Sequence, residues 1–109
     1  MPHDLHLEEN IRSVLAGVPD LVEKRMFGGI AFLIRGNMAC GVSRDHLIVR
    51  VGSDQYAQSL SEPFTEPFDL TGRPMKGWVQ VLPDGYASLS NLEKWVGKGI
   101  KFAQSLEPK

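Results

Sequence analysis

Few residues in this chain are of types that do chemistry, and their spacing argues against most reactions. Cys40 is the single cysteine. A nucleophilic thiol needs a nearby base and a lowered pKa. Alternation along the strand expected over Asn37 to Val42 instead turns Cys40 inward beside Val42 and Val49, which predicts a small apolar filler. His46 stands at a turn, and His3 and His6 lie near the amino terminus, at a spacing that matches no metal site. Asp45, Asp69 and Asp84 fall in or beside turns, where capping of the backbone explains them. No pair of carboxylates is placed for acid–base work. No catalytic residue, metal ligand or cofactor-binding residue is therefore assigned, and no cofactor is expected.

Gly28-Gly29 raises the question of phosphate, since glycine exposes backbone amides that cradle anions. Phosphate loops join a strand to a helix, however, whereas Ile30 to Ile34 continues as strand with no Gly-Lys-Ser/Thr after it. The glycines are read as a bulge, or as a place where another segment approaches the sheet closely. The basic residues Arg25, Arg35, Arg50, Arg73 and Lys76 are scattered in sequence. If a cleft between sheet and helices accepts an anion, Arg50, Arg73 and Lys76 are its candidate contacts.

Composition narrows the class. The chain has 109 residues, 42% hydrophobic and 23% charged, which suits one globular domain over 1–109 with a single core and no disulfide or metal staple. A lone cysteine and the lack of a charged, apolar leader favour the cytoplasm over a secreted, disulfide-built protein. The longest apolar run, Ile30 to Ile34, is of strand length, so no membrane span is expected. Net charge is -1 with acids and bases interspersed, and nucleic-acid binding by this domain alone is disfavoured.

The elements follow from periodicity. Leu7, Ile11, Val14, Leu15 and Val18 recur on one face of a helix from about Leu5 to about Ala16, stopped by Pro19. One long strand is expected from Glu23 to Arg35, then a turn at Gly36-Asn37, a strand over Asn37 to Val42, a turn at Ser43-Arg44-Asp45 and a strand over His46 to Gly52. Met38, Cys40, Val42, Leu47, Val49 and Val51 are assigned inward, with Asn37, Ser43, His46 and Arg50 outward. Ser53 or Asp54 opens a short helix to about Ser61. The Glu-Pro-Phe repeat over 62–68 reads as connector or edge strand because proline donates no ladder bond. Lys76 to Leu82 is the last strand, ended at Pro83-Asp84-Gly85. A final helix carries Leu92, Trp95, Val96, Gly99, Phe102, Ala103 and Leu106 on one face, with Ser90 and Glu93 as capping box. The expected fold class is α+β in two layers, an antiparallel meander with helices packed on one face, in the order helix, three strands, helix, one or two strands, helix.

Lys24-Arg25-Met26-Phe27-Gly28-Gly29, then Gly36-Asn37-Met38-Ala39, Leu47-Ile48-Val49-Arg50, Pro74-Met75 and a closing helix with Trp95 together resemble the amino-terminal domain of the TfoX/Sxy family, over nearly the whole chain. The resemblance implies a bacterial protein and a two-layer α+β domain. Founding members regulate natural competence and carry a second, helical carboxyl-terminal domain associated with that role; this chain is similar to the first domain standing alone. The family defines no catalytic residues, so none is transferred.

Helices on one face leave the other face of the sheet to be accounted for. Phe27, Ala31, Leu33, Ile48, Trp78 and Leu82 are expected there, next to Arg25 and Arg50, and soluble monomers seldom expose so large a patch. Arg25, Phe27, Leu33, Ile48, Arg50 and Trp78 are thus a candidate interaction surface for a second copy or a protein partner. Otherwise the final helix or the proline-containing segment closes over that face. The resulting expectation is a non-enzymatic regulatory or protein-interaction module, with a small-molecule or anion sensor as the alternative.

Overall fold

A computed structural model describes residues 5–26, 29–43, 45–69 and 74–108. Helix α1 (Leu5–Leu15) is followed by strands β1 (Leu21–Met26), β2 (Gly29–Ile34), β3 (Asn37–Ser43) and β4 (His46–Arg50). Helix α2 (Ser53–Leu60), strands β5 (Thr65–Asp69) and β6 (Pro74–Val81), and helices α3 (Pro83–Tyr86) and α4 (Leu89–Ser105) complete the chain. All strand pairs are antiparallel, in a six-stranded sheet of order β1-β2-β3-β4-β6-β5. The α+β class and the helix-and-strand order are broadly as expected. The first four strands form a meander, after which β6 enters beside β4 and leaves β5, with Pro67, at the edge.

The long strand expected over Glu23 to Arg35 is instead two strands. Met26 pairs with Gly29 and Leu21 with Ile34, so the chain reverses between Met26 and Gly29. Reading Gly28-Gly29 as a bulge within one strand is what hides the reversal. Gly29 bears out the close-approach reading: a Cβ on it would lie 1.8 Å from the Val42 carbonyl oxygen. Gly28 lies outside the described residues. The next turn sits one position earlier than expected, at Arg35 and Gly36, whose φ values of 52° and 85° match a two-residue hairpin turn with both residues left-handed.

The largest correction concerns the faces of β3. Phe32 pairs with Cys40 but Leu33 pairs with Met38, so Ala39 is an extra residue and the strand bulges there. Every side chain before the bulge changes sides. Cys40 and Val42 face the helices, in the main core with Phe32, Leu47, Val49, Val79 and Val81. Met38 goes to the opposite face with Ala31 and Ile48. Asn37 turns to the helix side, where its Nδ2 donates to the Glu107 carbonyl at 2.8 Å.

All four helices contribute to the main core. Leu7, Ile11 and Leu15 of α1 and Leu92, Trp95 and Val96 of α4 are buried in it, with Tyr56, Leu60 and Tyr86 packed against it. The amino-terminal cap of α4 is Ser88, whose Oγ accepts from Asn91 N at 3.1 Å, rather than Ser90. The short α3 stands where a turn was expected, with Pro83 at its start.

The opposite face is not an open apolar patch. Phe68, from the proline-containing segment, is 4% exposed and joins Ala31, Met38 and Ile48 in a second buried cluster, flanked by half-buried Leu33, Met75 and Trp78. Ala31 and Ile48 are fully buried. Phe68 of the proline segment thus covers part of that face, and Leu33, Met75 and Trp78 stay half-buried.

Candidate functional site

The end of β4 is where charge, aromatic rings and an open cleft meet. Val51 N and Gly52 N both donate to the Gly77 carbonyl, at 2.8 and 3.0 Å. The chain turns there into α2 at Gly52, with φ 87°. A Cβ at Gly52 would lie 2.5 Å from the ring of Phe102. A side chain at this left-handed position would strain the backbone and displace the Phe102 ring, so glycine suits the corner. Because the amino-terminal cap is glycine, no side chain caps the first turn of α2.

Arg50 is held between two rings. Its guanidinium carbon is 5.1 Å from the centroid of Trp78 and 5.2 Å from that of Phe102. Trp78 in turn lies 6.3 Å from Phe68. Cation–π contacts of this kind contribute about 0.5 to 2 kcal/mol each, more when water is excluded. Burial lowers the Arg50 pKa from its ordinary value. Among the described residues the Arg50 side chain makes no hydrogen bond or ion pair.

Next to this stack lies a cleft of about 430 Å³ between α2 and the carboxyl-terminal half of α4. Val51, Gly52, Asp54 and Gln55 form one wall; Lys98, Lys101 and Phe102 form the other. Lys98 is half-buried and donates to Glu62 Oε2 at 3.2 Å and to Ser59 Oγ at 3.3 Å. Lys94 also pairs with Glu62. Burial opposes ionisation of Glu62, and hydrogen bonds from Lys94 and Lys98 outweigh it, leaving the carboxyl below its ordinary value. Lys101 is exposed and has no partner among the described residues. The cleft thus offers one free ammonium, an uncapped helix start, an aromatic wall and one exposed acid, Asp54.

The sequence-derived candidates divide by position. Arg50 and Trp78 come together at the stack. Ile48 is buried in the second cluster, and Leu33 packs against it. Arg25 is exposed on β1, at the other edge of the sheet. Lys76 is exposed on β6 and does not line the cleft. Phe27 and Arg73 lie outside the described residues. Gly52, Lys98, Lys101 and Phe102 went unassigned as site residues. Lys98 and Lys101, three apart on one helix, were the available signal; what α4 lies against was not legible locally.

Cys40 is fully buried, and desolvation pushes its thiol up to about 12, which removes it as a nucleophile. His46 Nε2 is 3.4 Å from Asp45 Oδ1. No group of three or more His, Cys, Asp or Glu able to hold a metal ion occurs among the described residues. No described helix is long and apolar enough to cross a membrane.

A family model described as the TfoX N-terminal domain matches residues 13–103. The chain belongs to that family. Neither a curated protein nor a solved structure matches it.

Proposed function

We propose that this TfoX N-terminal domain is a non-enzymatic regulatory module that senses a small anion in the cleft between α2 and α4. The observation that carries the reading is the pairing of an unpartnered Lys101 with the aromatic wall of Phe102, itself backed by Arg50. A carboxylate or phosphate would meet Lys101 and the first turn of α2, where the helix dipole favours negative charge. An apolar or ring-shaped body would lie on Phe102 and Val51. Asp54 is exposed at the same rim, in the first turn of α2.

Thermal shift with inorganic phosphate, a nucleoside monophosphate and benzoate tests this. A probe at a hundred times its dissociation constant stabilises the fold by about 2.7 kcal/mol. Lys101→Glu and Phe102→Ala are expected to abolish the shift. Failure of all three probes at millimolar concentration, or a shift indifferent to both substitutions, overturns the reading.

A protein-interaction role is the second reading. With Ala31 and Ile48 buried, its support moves from the sheet face to the sheet edge, where Val22 is 58% exposed.

A further inference from the structure

The edge strand β1 has β2 on one side and no strand of this chain on the other, among the described residues. One hydrogen bond fixes which of its backbone groups are left over. Arg35 N donates to Asp20 O at 3.1 Å, and those two residues continue the register that pairs Leu21 with Ile34. Bonded pairs alternate along an antiparallel ladder. Val22, Lys24 and Met26 therefore direct their N–H and C=O groups to β2, while Leu21, Glu23 and Arg25 direct theirs away from the sheet. Such a row is a template for another strand.

We infer that the strand it takes is β1 of a second copy, in the antiparallel register centred on Lys24. This is independent of the cleft. A two-fold interface places residue i opposite j and j opposite i, so an antiparallel pair of identical strands centres on one residue facing itself. Centring on Glu23 sets Glu23 against Glu23, and centring on Arg25 sets Arg25 against Arg25. Centring on Lys24 sets Glu23 opposite Arg25 twice, both in the outward-bonding positions. Opposite charges directly across a ladder contribute about 0.2 to 1 kcal/mol a pair.

The side chains fit this order. Arg25 is exposed with no hydrogen bond or ion pair among the described residues. Glu23 is exposed and accepts from Arg12 at 2.7 and 2.8 Å. In the same register Val22 faces position 26 of the second copy. Lys24 against Lys24 is the one like-charge pair, and its side chain is exposed to solvent. Charged residues on an edge usually repel other strands; here their order, acid then base about a centre, is self-complementary.

The full chain supplies the test. Lys24→Cys is expected to form an intermolecular disulfide on mild oxidation, with Cys40 silent because it is fully buried. Arg25→Pro deletes an outward N–H without touching the bonds to β2, and Arg25→Glu sets acid against acid. Both are expected to raise the dimer dissociation constant at least tenfold in sedimentation equilibrium and to suppress the crosslink, with circular dichroism unchanged. A wild-type monomer at high micromolar concentration overturns the inference. So does a dimer that survives both substitutions, or one that they abolish but Lys24→Cys does not crosslink.

Discussion

Gly99 of α4 sits on the carbonyl of Ala39, the bulged residue of β3: a Cβ there would lie 2.2 Å from the oxygen and 2.9 Å from the carbon. The bulged backbone meets the helix layer at a glycine. Gly99→Ala sets two effects against each other. Alanine gains up to about 1 kcal/mol in a helix interior, but overpacking against backbone that cannot swing aside costs about 1 to 3 kcal/mol. The second wins, and urea denaturation is expected to show a net loss of about 1 to 2 kcal/mol. Gly97→Ala, two residues earlier with nothing within 4 Å of its Cβ position, is expected to stabilise.

Phe68→Ala removes the edge-strand side chain that helps close the second cluster. Large-to-small changes of a buried phenylalanine cost about 3 to 5 kcal/mol. A loss in that range is expected, together with binding of a hydrophobic dye, because Ala31, Met38 and Ile48 lose a neighbour. A loss below about 1 kcal/mol would show the face to be closed without Phe68.

Glu62 makes stability depend on pH on the acid side. Its folded pKa is lowered by Lys94 and Lys98. The contribution is therefore present above the unfolded carboxyl value, near 4.5, and is lost as pH falls through the folded value. Glu62→Gln is expected to lower the melting temperature at neutral pH and to narrow the gap from wild type at acid pH. Parallel melting curves at every pH would contradict the assignment.

Cys40 is expected to resist alkylation in the folded protein and to react at once in denaturant, since only the thiolate attacks and burial suppresses it. Cys40→Ser, which buries a hydroxyl among Phe32, Val42 and Val49, is expected to cost about 1 to 3 kcal/mol in urea denaturation. Cys40→Ala is expected to cost less.

Periodicity made the helices legible: the buried residues of α4 all belong to the face expected for it, on which Phe102 and Leu106 are half-buried, and α1 ends within a residue of where Gly17 and Pro19 put it. Proline placed β5 at an edge. What escaped were events that break a period. Ala39 shifts β3 by one residue, and no turn dipeptide marks it. The reversal between Met26 and Gly29 falls at a double glycine that reads equally well as a bulge within one strand. The cleft escaped for a different reason: Gly52 is far in the chain from Lys98 and Phe102, and they meet because α4 passes the end of β4. Tertiary approach of that kind leaves no local trace.

The strand order also governs how the chain reaches this state. From β1 to β4 each strand pairs with its neighbour across a connection of two residues, so little loop entropy opposes their zipping. β6 must instead reach β4 across the intervening α2 and β5, a longer loop to close and an encounter expected to be slower. Until it does, Ile48 has no Trp78 or Phe68 over it, and the growing ribbon is sticky on that side. The step at greatest risk of aggregation is thus the wait for β6.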